Sequence, residues 1–282
     1  MKIAAISLVF LLGTYGLFAQ DERHEIILYG SFGLSTLKYN VNIGKQVDGL
    51  GGQFGVGYHF FFIPKLGIRI GVDFSLHNAS FTLDNSSLRY MTTDIEDSVF
   101  EFRSTVNNYK EKQYVIMLNI PLMLQFQTGA KHQFYVAAGG KVGLPLSGKY
   151  NSSKATVYNS GYYDMENYEY TTQLFMGFGQ FSGSSRYLKF KTAFFASAEI
   201  GAKWMMRDGY KFYTGVYLDY GLNNIAKQRS EPSQFLKYNT ARPSDFAVNS
   251  IIESQYSQNG ELKSFTNKIF PIAAGVKLML AF

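Results

Sequence analysis

The chain carries few groups suited to covalent chemistry. It has four histidines, His24, His59, His77 and His132, and no cysteine. A nucleophile would have to be a serine, and one stretch brings serine, histidine and carboxylate together: Asp73, Ser75 and His77. A serine nucleophile needs a base within hydrogen-bond reach and a third group that orients the base. Spacing of two puts these side chains in a column on one face of a strand, where nothing in the sequence makes them converge. His59 cannot complete the set, because it falls opposite Arg69, roughly 26 Å along the strand from His77 at about 3.3 Å per residue. The expectation is a non-enzymatic protein without a catalytic residue.

Metal and cofactor chemistry are equally poorly provided for. Asp84, Asp94, Glu96, Asp97, Glu101 and Glu111 crowd into 78–113, but without the tight alternation and central glycine of a calcium loop. This stretch reads as a solvated acidic loop. No thiolate site, glycine-rich phosphate cradle or nucleic-acid motif is present, so neither metal, cofactor nor nucleic acid is expected.

The remaining charged candidates share one property. Arg69, Asp73, Lys141, Glu199, Lys203, Lys211, Asp219 and Lys277 all fall on the polar side of strictly alternating stretches. In the hairpin 53–77, Leu66, Ile68, Ile70, Val72, Phe74 and Leu76 alternate with Gly67, Arg69, Gly71, Asp73, Ser75 and His77, the period of a strand with two unlike faces. A turn centred on Pro64 sets Phe60 opposite Ile68, and the facing residues match in character. Eight such stretches can be counted, at 24–35, 51–62, 66–77, 114–126, 134–146, 192–204, 210–222 and 270–282.

Alternation of this kind fits a soluble sandwich or a barrel in a bilayer. Four observations favour the barrel. Residues 1–20 read as a cleaved secretory signal, with Lys2, an apolar run from Ile3 to Leu17, and Ala19 before the cut. The strand number is even, and short turns alternate with links of about fifteen or more residues. Phe60, Phe62, Phe126, Phe134, Trp204, Phe212 and Phe282 mark the short-turn ends, as an interfacial girdle would. No later stretch is long and apolar enough for a spanning helix, which needs roughly 18 apolar residues. The expected fold is therefore all-β: an eight-stranded antiparallel up-and-down transmembrane β-barrel over 21–282, with short periplasmic turns, long extracellular loops and the outer membrane as its location.

YVIMLNIPLMLQF, FYVAAGGKVGLPLS and the closing PIAAGVKLMLAF resemble the PorT-like outer-membrane β-barrels common in Bacteroidetes. The resemblance spans essentially the whole mature chain and is carried by strand patterns. It implies outer-membrane insertion, with Phe282 as the terminal aromatic read by the barrel-insertion machinery. Some PorT-like proteins serve protein secretion, and no motif here carries that role over.

An eight-stranded barrel is only wide enough for its own side chains. Its inward charges could line an ion path, but an ion-paired structural plug is the favoured reading. Function then falls to the loops. Tyr158, Tyr162, Tyr163, Tyr168 and Tyr170 could form an adaptable binding surface or extend the strands as a rigid hairpin. Lys227, Arg229, Lys237 and Arg242 could meet lipopolysaccharide phosphates at the outer leaflet, or simply keep the last loop soluble. The leading expectation is a surface barrel whose loops engage an envelope glycan or protein partner, as an accessory of transport or secretion. The alternative is a small ion or solute channel, and a lipid-modifying enzyme stands third.

Overall fold

The computed structural model describes residues 23–128, 132–153, 155–171, 178–181, 183–206, 209–227, 233–243, 246–258, 261–266 and 268–282. Residues 1–20, expected to be a secretory signal, Arg229 and the 207–208 part of the sixth-to-seventh turn lie outside them. Eight long strands form the wall: β1 His24–Lys38, β2 Leu50–Ile63, β3 Leu66–Leu83, β4 Tyr109–Thr128, β5 His132–Ser152, β6 Ala193–Met205, β7 Lys211–Gly221 and β8 Phe270–Ala281. Each pairs antiparallel with its chain neighbour, and β8 returns to β1 to close the barrel. Phe60 stands opposite Ile68 and His59 opposite Arg69, the register read from the alternation.

Period two decides which side chains face out. Phe54, Val56, Ile70, Val72, Leu122, Leu124, Val216 and Leu278 lie exposed on the outer surface, a continuous apolar belt far larger than water tolerates. Phe62, Phe126, Phe134, Trp204 and Phe282 edge it at the short-turn end, and Phe32, Phe74, Phe194 and Tyr220 at the other. On these strands many polar and charged residues face the buried interior, Arg69, Asp73, Gln125, Lys141, Glu199 and Lys277 among them, the reverse of a soluble protein. Inside, Tyr135 lies across the wall where β6 and β7 carry facing glycines. A Cβ on Gly201 would stand 2.8 Å from the Tyr135 ring, and one on Gly215 2.6 Å from its hydroxyl.

The long-link end departs from the expected loops. β3, β4 and β5 run 18, 20 and 21 residues, about 60 Å or more of strand against a hydrocarbon core of about 30 Å. Beyond the belt, residues 86–107 form two strands, Ser86–Thr93 and Val99–Asn107. These join Ala155–Tyr163, Tyr168–Tyr170 and Ser254–Gln258 in an eight-stranded second sheet. The acidic link is thus a folded hairpin, not a solvated loop. Its alternation explains why: Phe100, Phe102, Ser104 and Val106 point inward, while Val99, Glu101, Arg103 and Thr105 do not. The inward face packs on Phe81, Leu83 and Tyr109 of the wall and on Phe235, Ile251 and Phe265 of the last link, giving one apolar core above the belt.

Candidate functional site

The wall strands deliver every charged side chain of the sequence set to the barrel interior, where they pair in three tiers. At the short-turn end, the Glu25 carboxylate of β1 accepts hydrogen bonds from Lys203 Nζ at 2.8 Å, Lys211 Nζ at 2.9 Å and the Tyr213 hydroxyl at 2.5 Å. In the middle, Glu199 of β6 accepts from Arg69 at 2.5 Å and from Lys277 at 2.6 Å. The Lys277 ammonium also lies over the Tyr29 ring, 4.3 Å from its centroid. In the third tier Lys141 of β5 donates to Asp219 of β7 at 2.8 Å and stands 3.6 Å from Asp73 of β3. Gln53 and Ser197 complete Asp219, each at 2.6 Å, while Tyr29 and Asn119 complete Asp73.

These pairs cross the barrel between strands that are not neighbours, so they fasten opposite walls together. Arg69 is 2% exposed, and Lys141, Glu199 and Lys277 are 5–6% exposed, which leaves no open water column beside them. Charges withdrawn from water in this way must be paired and hydrogen-bonded to persist. Glu25, the acceptor of the first tier, is missing from the sequence set, although it shares the inward parity of Ile27 and Tyr29. Its partners lie on β6 and β7, and only barrel closure brings them to β1.

The serine column does not make a catalytic triad. Ser75 Oγ lies 3.2 Å from His77 Nε2, within reach of a base. The other imidazole nitrogen meets the Ser35 hydroxyl at 3.1 Å, while the Asp73 carboxylate is taken by Tyr29, Asn119 and Lys141. His77 is stacked on Phe195 and 1% exposed, and Ser75 is 2% exposed.

The tyrosines divide into packed and exposed ones. Tyr163 donates to Asp94 at 2.5 Å and packs on Phe100 and Tyr170, and Tyr162 carries the Arg103 guanidinium 4.1 Å above its ring. These are structural contacts of a strand hairpin. Tyr158 and Tyr168 remain exposed. Asp94 also accepts the amides of Glu96 and Ser98, each at 2.9 Å, which stiffens the 94–98 turn at the sheet's far end. Of the basic residues in the last link, Lys227, Lys237 and Arg242 are exposed. Phe282 is exposed at the short-turn end, where its amide and carbonyl pair with Ile26 and its ring meets Tyr210 edge-on.

Above the belt, Glu111 is fully buried and accepts four hydrogen bonds, from Tyr109, Gln113, Ser250 and the Ile251 amide. Burial pushes its carboxyl above the usual carboxylate range, against the opposing effect of those four donors. It ties the last link to β4, a role its place in an apparently acidic loop conceals.

Comparison with known proteins bears on the family to which this architecture belongs. No curated protein matches the chain significantly in sequence. A solved structure, a major outer membrane protein from Thermus thermophilus, resembles it with a TM-score of 0.35 and 10% identity, over 92% of this chain and 99% of that one. The family described as "Outer membrane protein beta-barrel domain" matches residues 18–227. With an apolar belt outside, paired charges inside and that match over most of its length, the chain belongs to the outer membrane β-barrel domain family.

Proposed function

We propose that this outer-membrane barrel is a non-catalytic surface protein that presents its folded cap to a protein partner. One observation carries the reading. At the end of the second sheet farthest from the belt, Met91, Ile95, Val99 and Met165 are 61%, 72%, 61% and 102% exposed. The turns that hold them are braced against each other through the Tyr163–Asp94 hydrogen bond. Lipid does not reach this end, and large apolar side chains held rigidly in water are the usual core of a docking surface. The resemblance of the strand sequences to PorT-like barrels supports the finer reading, an accessory of protein export or surface assembly. A conduit for ions or solutes has the interlocked charge tiers against it. Catalysis has against it a Ser75–His77 pair that lacks both access and an orienting carboxylate.

Because the chain has no cysteine, the test can be site-specific. A cross-linker on Ile95→Cys or Met165→Cys in intact cells is expected to give one discrete adduct, lost when Val99→Asp is added. Absence of an adduct, or the same adduct from lipid-facing Ile120→Cys, would refute the reading.

A further inference from the structure

The outer face of the wall just above the belt carries an ordered set of lysines that no ion pair among the described residues explains. Three rows cross β3, β4 and β5 there, with the flanking strand Lys45–Asp48 on one side and Ser185–Leu188 on the other. The lowest row places Asn78, Tyr114, Lys149 and Tyr187 side by side. The next holds Val47, Ser80, Lys112, Asn151 and Ser185. The third sets Lys45 and Lys110 on either side of Thr82, about 10 Å apart at two strand spacings.

Lys45, Lys110 and Lys112 are exposed, and Lys149 is half-buried with its ammonium 4.8 Å from the Tyr187 ring centroid. None of the four meets a carboxylate among the described residues, and no acidic side chain lies on these rows. The nearest acids are engaged elsewhere: Asp48 with Lys38, Thr36 and Gln46, Asp84 with the Asn108 amide, and Glu111 inside the cap core. The floor of the patch is stiff, since Asn151 donates to the Tyr114 hydroxyl and accepts from Ser185 at 2.6 Å.

Height selects the ligand. Directly below the tyrosine row, Leu76, Ile116 and Leu146 are the last lipid-facing residues. Successive rows are about 6.6 Å apart along a tilted strand, so Lys149 and Lys112 fall at headgroup level, and the stems of Lys45 and Lys110 can reach down to it. Apolar side chains, then rings, then unpaired ammonium groups match an acyl chain, a glycerol or sugar backbone and a phosphate, in that order.

We propose that Lys45, Lys110, Lys112 and Lys149 form a binding site for the phosphate of an anionic outer-leaflet lipid, seated on Tyr114 and Tyr187. The site lies on the wall, not among the basic residues of the last link. It rests on the outer-membrane location and on the long links facing outward, and is independent of the partner proposed for the cap.

The test uses the full-length barrel in detergent, with phosphorylated lipid A as probe and its dephosphorylated form and inorganic phosphate as controls. Phosphorylated lipid A is expected to bind in a salt-sensitive manner. Replacing all four lysines by glutamine should weaken binding by roughly 600-fold, since each surface lysine contributes about fivefold. Heat-modifiable migration on a gel verifies that the variant is folded. If the quadruple variant does not insert, Lys112→Gln alone should weaken binding about fivefold while Lys112→Arg retains it. Unchanged binding by a folded variant, equal binding of the dephosphorylated lipid, or displacement by equimolar inorganic phosphate would each overturn the proposal.

Discussion

Glu199 accepts from two buried cations at once, Arg69 on β3 and Lys277 on β8, so its loss strands both. Glu199→Gln is expected to destabilise the barrel by about 3–5 kcal/mol, as breaking a buried pair does, whereas replacing Glu199, Arg69 and Lys277 together by methionine should cost far less. Urea unfolding in lipid vesicles measures both, and equal losses would show that the pairs do not fasten the walls.

Outside the belt, Glu111 makes the prediction one of pH. A carboxyl raised in the folded state contributes stability that is fully present below its unfolded pKa and is lost as pH rises through the folded value. Hydrogen-exchange protection of the Ile251 amide, corrected for intrinsic rates, should therefore fall as pH climbs from about 4, the ordinary glutamate value. In Glu111→Gln it should be flat, and protection that increases with pH would contradict the assignment. At this scale the sequence was informative about parity and silent about azimuth. Alternation placed Arg69, Asp73 and Lys141 on the inward face, but which strands meet across the lumen, and so which cations Glu25 receives, follows only from closure.

Among elements, the cap is what distinguishes this barrel from a bare one. Its sheet draws strands from three separate links, and Phe265, fully buried against Phe81 of the wall and Phe235 and Tyr256 of its own link, fastens the last link to the barrel. Phe265→Ala is expected to cost about 3–5 kcal/mol in cap docking. Trypsin should then cut the last link of the folded, inserted protein, and undiminished resistance would refute that role. The wall strands were legible because each carries its own period-two signal. The alternation of 99–107 was equally present, but beyond its hairpin arm Ser86–Thr93 its second partner lies roughly 50 to 60 residues on in Ala155–Tyr163, and non-local pairing leaves no mark in a local pattern. Carboxylates counted by composition suggested a solvated loop, while the structure shows Glu111 buried and Asp94 committed to a turn.

For the whole molecule, the belt, the paired interior and the capped end make one argument. Apolar residues face lipid, the charges that alternate with them close the lumen by pairing across it, and the apolar core above seals the far mouth. On this account the cap meets a protein partner and the lysine rows beneath it an anionic lipid. The most direct measurement of this account is a planar-bilayer recording of the purified, folded barrel. Sealed tiers predict no stable conductance step for the native chain. A reproducible, ion-selective step that Glu199→Gln alters would contradict it and make the interior a pathway.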